Sequence, residues 1–89
     1  MIEKEVEIVN RAGLHTRPAS MIVRAAAKFE AEFFIRKDGY EINGKSIIGV
    51  MTLAAEQGST VILSLEGPDE IEAASALEEL FASGFGEVQ

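Results

Sequence analysis

The chain has 89 residues, too few for two separate hydrophobic cores, so the sequence predicts a single domain spanning residues 1–89. Its 15 acidic against 8 basic residues give a formal net charge of -7, which disfavours binding to the phosphate backbone of nucleic acids. The sequence has no cysteine, which excludes disulfides, thiolate catalysis and cysteine–zinc sites.

The N-terminal part of the chain predicts a strand followed by a helix. Residues alternate with period two from Ile2, with Ile2, Lys4, Val6 and Ile8 on one face and Glu3, Glu5 and Glu7 on the other. A loop at Asn10–Gly13 follows. From about Pro18 the apolar residues take helical spacing, and proline is tolerated in a first helical turn. The apolar face of this helix comprises Ala19, Ile22, Val23, Ala26 and Phe29.

The middle of the chain predicts a hairpin, a short helix and a further strand. Strands at 32–37 and 40–43 flank the turn signal Asp38-Gly39. Ser46 is placed to cap a short helix that runs from about Ile47 to Leu53. Aliphatic and β-branched residues at 60–66 then predict the last strand.

The C-terminal part predicts one more helix. Asp69 followed by Glu72 resembles a capping box with aspartate in the cap position. The apolar stripe comprises Ala73, Ala74, Leu77, Leu80 and Phe81. Gly84 provides a stop, and Gly86–Gln89 are expected to fray. The order β-α-β-β-α-β-α predicts an α+β fold, with helices covering one face of a mainly antiparallel sheet.

The sequence shows no membrane or export segment. Its longest apolar stretches fall far short of the roughly 20 residues that a membrane-spanning helix needs. The residues Met1–Glu5 alternate in charge and include no apolar core of a signal peptide. We therefore expect a small cytoplasmic protein without membrane insertion.

His15, the only histidine, sits just before the first predicted helix. A helix start presents unpaired N–H groups and the positive end of the helix dipole, which favour an anion. The N–H groups near Thr16 and Arg17, with the Arg17 side chain, can bind phosphate oxygens, while Gly13 permits a tight turn. A neutral imidazole nitrogen is a nucleophile and also a good leaving group. These residues together favour reversible phosphorylation of His15.

Other roles for a single histidine fit this sequence less well. A lone histidine is often an ordinary surface or capping residue, and spacing alone leaves that interpretation open. A metal site needs three or four ligands, and no carboxylates accompany His15 at a suitable spacing. The sequence contains neither a serine-hydrolase elbow nor a P-loop. It therefore indicates no metal and no cofactor.

Three segments of the chain carry a family resemblance. The stretch Gly13–Ala19, Gly-Leu-His-Thr-Arg-Pro-Ala, is similar to the active-site motif of HPr, the histidine-containing phosphocarrier family of the bacterial phosphoenolpyruvate-dependent phosphotransferase system. Lys45–Met51 resembles the region around the family's regulatory serine, and Gln57-Gly58 is a third match. The resemblance covers essentially the whole chain. It implies an HPr-like open-faced β-sandwich, a four-stranded antiparallel sheet with three helices on one face.

The resemblance implies a phosphoryl carrier rather than an enzyme. Enzyme I would take the phosphoryl group from phosphoenolpyruvate and pass it to Nδ1 of His15. The carrier would then hand it to a IIA protein or domain of a sugar permease. Arg17 would stabilise the phosphoryl group, and the backbone N–H of Thr16 would donate to it. Transient one-to-one docking implies a monomer.

The resemblance also implies regulatory and docking residues. The sequence alone favours Ser46 as a helix cap, and the family adds phosphorylation of this serine by HPr kinase/phosphorylase. The residues implied in docking Enzyme I and IIA proteins are Ser20, Arg24, Ile47, Ile48 and Met51. Ala54 stands where the family usually has glycine.

Three alternative functions stay open at this point. The segment Leu80–Phe85 resembles the nitrogen-related NPr branch of the family, which carries phosphate in a parallel regulatory chain. A second alternative is a regulatory binding protein that acts through the Ser46 surface while His15 is idle. A third is a small enzyme, although the sequence offers no second catalytic group near His15.

Overall fold

The computed structural model describes all 89 residues and contains four strands, three α-helices and one short 3₁₀ turn. The strands are β1 (Ile2–Glu7), β2 (Glu32–Lys37), β3 (Tyr40–Asn43) and β4 (Thr60–Glu66). The helices are α1 (Thr16–Ala26), α2 (Ile47–Thr52) and α3 (Glu70–Ala82), and the 3₁₀ turn is Gly84–Gly86. None of these helices has the length and apolar character needed to span a membrane.

The four strands form one antiparallel sheet in the order β1-β4-β2-β3. The register sets Val61 of β4 opposite Val6 of β1, and Leu63 of β4 opposite Ile35 of β2. These four side chains are buried, and the residues between them along each strand point to the opposite face. The sheet therefore has one apolar face, as the alternation in the sequence predicts.

The core lies between that face and the helices. Its 21 buried apolar residues form one continuous cluster. The buried positions of α1 are Pro18, Ala19, Ile22 and Ala26, and those of α3 are Ala73, Ala74, Leu77 and Phe81. Val23 and Phe29, which the sequence places on the apolar face of the first helix, are only partly buried. The predicted α+β fold class is confirmed.

Two helix boundaries differ from the predicted ones. α1 begins at Thr16, two residues before Pro18, which lies in the first turn as predicted. α2 ends at Thr52 instead of Leu53, because Ala54 has a φ of 49°, in the left-handed region that ends a helix. The 3₁₀ turn after α3 is a feature that the sequence did not predict.

The predicted capping box of Asp69 with Glu72 is wrong. Asp69 precedes α3, but its side chain makes no capping bond to that helix. Its Oδ2 instead accepts from the amide of Glu30 at 2.8 Å, and its Oδ1 accepts from the amide of Ala31 at 2.9 Å. Asp69 therefore ties the start of α3 to the segment that leads into β2.

The residues after α3 are held against the rest of the molecule instead of fraying. Phe85 is buried, packs edge-on against Phe81 with ring centroids 5.2 Å apart, and has a φ of 59° that turns the chain back. The amide of Arg11 then donates to the carbonyl of Val88 at 2.7 Å. The last residues of the chain consequently lie beside the loop that connects β1 to α1.

Candidate functional site

A tight loop between β1 and α1 sets the position of His15. Asn10 is fully buried and donates its Nδ2 to the carbonyl of Gly13 at 2.8 Å. Gly13 has a φ of 73°, and a Cβ there would lie 2.5 Å from the carbonyl oxygen of Ala55. The amide of Leu14 donates to that same carbonyl at 2.9 Å. Glycine is needed at position 13 because the backbone there packs directly against Ala55, two residues before His15 at the start of α1.

His15 is the N-cap residue of α1. Its backbone is extended, its ring makes no capping bond to the helix, and its side chain is 43% exposed. The ring Nε2 lies 2.9 Å from both carboxylate oxygens of Glu87, while Nδ1 has no hydrogen-bond partner in the protein. Nε2 is therefore engaged by the carboxylate, and Nδ1 is free to react with another group.

The start of α1 offers free donors next to this ring. The backbone N–H groups of Thr16 and Arg17 make no hydrogen bond within the protein, and Pro18 has no N–H. The ring of His15 also borders an open depression of about 550 Å³, whose other lining residues belong to the loop at 11–12 and to the segment 86–88 and not to α1. Free N–H groups at the positive end of a helix dipole are suited to binding an anion.

Arg17 reaches from α1 to the residues after α3. Its Nη1 donates to the carbonyl of Phe85 at 2.9 Å and to Oε2 of Glu87 at 3.0 Å. The Nε and Nη2 groups have no partner, and the side chain is 56% exposed. The guanidinium is thus anchored at one corner and presents its other donors to solvent beside His15.

Glu87 is the site residue that sequence reasoning missed. Its carboxylate accepts from three side chains, because Nδ2 of Asn10 also donates to Oε1 at 3.0 Å. The hydrogen bond from His15 is the largest cause that lowers the pKa of Glu87 below its ordinary value of 4.5, and the bonds from Asn10 and Arg17 act in the same direction against partial desolvation. Glu87 is therefore ionised at neutral pH. No motif marks it in the sequence, and it lies in the segment Gly86–Gln89, which the sequence predicts to fray.

Ser46 caps α2, as predicted. Its backbone is extended and its Oγ accepts from the amide of Gly49 at 3.1 Å. Ser46 is half-buried and makes no hydrogen bond with His15 or Arg17. The two sites suggested by the sequence are consequently built from separate elements.

The predicted docking residues lie on α1 and α2, which pack against each other. On α1, Arg24 donates from Nη2 and Nε to the hydroxyl of Ser20 at 3.2 and 3.4 Å. Three apolar side chains of α2 are exposed, namely Ile47 (40%), Ile48 (76%) and Met51 (40%). This short helix buries only Val50, so most of its apolar surface is available to a partner.

Similar proteins are found for nearly the whole chain. Residues 2–83 match the family described as PTS HPr component phosphorylation site. The phosphocarrier protein HPr of Treponema pallidum is 48% identical over 87 residues, which is 98% of this chain and 99% of that protein. The crystal structure of HPr-C-His from Thermoanaerobacter tengcongensis is 47% identical, covers 100% of both chains and has a TM-score of 0.95. An HPr dimer from the same organism is 48% identical, covers 98% of this chain and 100% of that chain, and has a TM-score of 0.78.

Proposed function

The chain belongs to the HPr family of phosphocarrier proteins, and from that premise we propose that His15 is the residue that carries the phosphoryl group. The protein is a phosphocarrier of the phosphotransferase system and not an enzyme. The observation that supports His15 is that its Nδ1 has no hydrogen-bond partner and lies at the start of α1, where the N–H of Thr16 and two donor groups of Arg17 are also open. Open donors beside a nucleophilic ring nitrogen are suited to binding the oxygens of a phosphoryl group there.

The transfer is a displacement between two imidazole rings. Nδ1 of His15, which has no partner in the protein, attacks the phosphorus of the phosphohistidine on Enzyme I. A P–N bond forms as the donor's P–N bond breaks, and the electron pair of the broken bond returns to the donor ring. The open donors of Arg17 and the N–H of Thr16 bind the phosphoryl oxygens during transfer. A histidine of a IIA protein removes the group by the same step.

We propose that Enzyme I and IIA proteins dock on one surface made by α1 and α2. It consists of Ser20, Arg24, Ile47, Ile48 and Met51. The exposed apolar side chains of α2 supply area that a partner can cover, and Arg24 supplies a cation at its side. Because α1 packs on α2, the docking surface includes the helix that follows His15.

We propose that phosphorylation of Ser46 by HPr kinase/phosphorylase regulates docking. Ser46 comes directly before Ile47 and Ile48 in the sequence, and these are two of the exposed residues of the docking surface. A phosphate there would add a charge of about -2 at neutral pH. A partner that covers the surface would have to desolvate this phosphate, and an acidic partner would also be repelled by it. Phosphorylation of Ser46 would therefore weaken docking.

We propose that residues 1–89 act as one domain and as a monomer in the cytoplasm. The single continuous core supports one domain, and a carrier that docks one partner at a time has no need of a second copy. Phosphoenolpyruvate, the starting phosphoryl donor, is a cytoplasmic metabolite, which supports that location. Light scattering is expected to give the mass of one chain, and a mass of two chains would favour the dimeric arrangement of the related HPr.

Intact-mass spectrometry tests the assignment of His15. The protein and its His15→Ala variant are each incubated with Enzyme I and phosphoenolpyruvate. We expect one added phosphoryl group on the wild-type protein and none on the variant. The group should be lost in acid, because a P–N bond is acid-labile and a serine phosphate is not. An acid-stable phosphate, or equal labelling of His15→Ala, would contradict the proposal.

Two forms of Enzyme I separate the alternatives that share this chemistry. Transfer is measured in parallel from a sugar-type and a nitrogen-type Enzyme I. Faster transfer from the sugar type supports a carrier for sugar uptake, and faster transfer from the nitrogen type supports the NPr-type alternative. Transfer from neither would contradict a carrier role for His15 and favour a regulatory protein that acts through Ser46.

A further inference from the structure

We infer that Glu87 is a positioning residue that holds His15 as the Nε2–H tautomer and thereby presents Nδ1 as the free nucleophile, an inference that rests on the proposed role of His15. A neutral imidazole carries its proton on one nitrogen, and only the other nitrogen has a lone pair with which to attack phosphorus. Glu87 lies outside the segment 2–83 that matches the family, so the match does not assign it a role.

The geometry at Nε2 leaves only one arrangement of the proton. Both oxygens of Glu87 lie 2.9 Å from Nε2 of His15. An ionised carboxylate can accept hydrogen bonds but cannot donate them, so Nε2 must be the donor. With its proton on Nε2, the neutral ring has its lone pair on Nδ1, the nitrogen that has no hydrogen-bond partner in the protein.

The carboxylate of Glu87 is itself held from three directions. The fully buried Asn10 donates to Oε1 at 3.0 Å, and Arg17 donates to Oε2 at 3.0 Å. Asn10 is fixed in turn by its bond to the carbonyl of Gly13, and the side chain of Glu87 is only 15% exposed. The buried Asn10 therefore fixes the orientation of the Glu87 carboxylate, and that carboxylate fixes the orientation of the His15 ring.

The same contact stabilises the ring after transfer. When Nδ1 bonds to phosphorus, the imidazole becomes cationic and keeps its proton on Nε2. A carboxylate at Nε2 stabilises that positive charge, as the buried aspartate does for the histidine of a serine-hydrolase triad. Glu87 should therefore assist both acceptance of the phosphoryl group from Enzyme I and its retention on His15.

The variant Glu87→Gln keeps the shape of the side chain and removes its charge. Asn10 donates to Oε1 and the cationic Arg17 donates to Oε2, so the amide oxygen of Gln should take the Oε2 position beside Arg17 and its NH₂ the Oε1 position. The NH₂ then lies where Oε1 is 2.9 Å from Nε2 and can donate to it, while the neutral amide oxygen is a weaker acceptor of the Nε2–H than a carboxylate. Both changes favour the Nδ1–H tautomer, which cannot attack. We expect the rate of phosphoryl acceptance to fall by about tenfold to a hundredfold, the scale on which loss of a histidine's orienting partner acts at metal sites.

The control is Glu79→Gln. Glu79 is exposed on α3, and its side chain makes no hydrogen bond or ion pair, so the variant removes the same charge without touching the site. We expect it to match the wild-type protein in both tautomer and rate. Circular dichroism of both variants verifies that they fold.

The tautomer is read directly by ¹⁵N NMR of the imidazole nitrogens, at a pH where the ring is neutral. We expect Nδ1 of the wild-type protein to give the chemical shift of an unprotonated nitrogen, and that signal to move toward a protonated nitrogen in Glu87→Gln. A wild-type ring with its proton on Nδ1, or a folded Glu87→Gln variant with unchanged tautomer and rate, would overturn the inference.

The two proposals fail in different ways. If the wild-type protein accepts no phosphoryl group, the carrier role of His15 fails whichever tautomer is observed. If it accepts the group but Glu87→Gln changes neither the ¹⁵N shifts nor the rate, only the role of Glu87 fails.

Discussion

Ala54 adopts a backbone conformation that disfavours its side chain. Its φ of 49° lies in the left-handed region, where an L-residue other than glycine costs about 1–2 kcal/mol. The position follows α2 directly and reverses the chain toward β4. A residue that could adopt this φ without a clash would relieve the cost and leave the path of the chain unchanged.

We predict that Ala54→Gly stabilises the protein. Relief of the left-handed strain exceeds the extra entropy of glycine in the unfolded chain by about 0.5–1 kcal/mol, which raises the melting temperature by roughly 2–8 °C. The matched control is Ala27→Gly, the same substitution at an exposed residue with a φ of -64°, which should lower the melting temperature. Thermal unfolding followed by circular dichroism measures both, and a lower melting temperature for Ala54→Gly would contradict the prediction.

The residues of the site differ in how far sequence could reveal them. Gly13, His15 and Arg17 lie within five positions of one another, and their local spacing predicts a loop, a helix start and an anion site. Glu87 is 72 positions from the histidine that it binds. It comes beside His15 only because buried contacts after α3 turn the chain back, and no local pattern encodes that return.

Among the elements, α2 is the one whose proposed function depends on its exposed apolar side chains. It is a six-residue helix with one buried residue, and its exposed side is apolar. A helix that short cannot turn every apolar residue toward the core. Its exposed residues can therefore be replaced with little effect on the stability of the fold.

We predict that Ile48→Asp leaves the fold intact and slows phosphoryl transfer. Ile48 is 76% exposed, so the change mainly removes contact area from the docking surface and adds charge. We expect kcat/KM for transfer from Enzyme I to fall by about tenfold, as for an interface residue worth about 1.4 kcal/mol. Ile71→Asp is the control, because Ile71 is 70% exposed on α3, and it should transfer at the wild-type rate. Equal kinetics for the two variants would remove α2 from the docking surface.

The elements were predictable where the pattern is local. The bounds of β2, β3 and β4 agree with the sequence, because period-two alternation and the Asp38-Gly39 turn are read within a few residues. The role of Asp69 was not predictable, since its acceptor oxygens bind amides 38 and 39 positions away. The Asp69 side chain is suited to capping α3, but it instead joins the start of that helix to the segment before β2.

For the molecule as a whole, Asp69 links stability to pH. The hydrogen bond from the amide of Glu30 is the largest cause that lowers the pKa of Asp69 below its ordinary value of 3.8. The bond from Ala31 and the charge of Lys45 add to this, against desolvation. A carboxyl whose pKa is lower in the folded state stabilises the fold above its unfolded pKa, and that contribution is lost as the pH falls through the folded pKa.

We predict that Asp69→Ala lowers the melting temperature at neutral pH by several degrees and that the difference from the wild-type protein shrinks as the pH falls below 3.8. The reason is that protonation removes from the wild-type protein the same charged acceptor that the variant lacks. Thermal unfolding of both proteins across this pH range measures the difference. A difference that stays constant down to strongly acidic pH would show that Asp69 acts without titrating.

The strand order has a consequence for how the protein folds during its synthesis. The β2–β3 hairpin is local and can form early, but β1 pairs only with β4. Because β4 is the last of these four strands in the sequence, β1 has no partner in the sheet during synthesis until residue 66 has emerged. Sheet closure is therefore a late, long-range step, and the edge of β1 is exposed to other chains until it occurs.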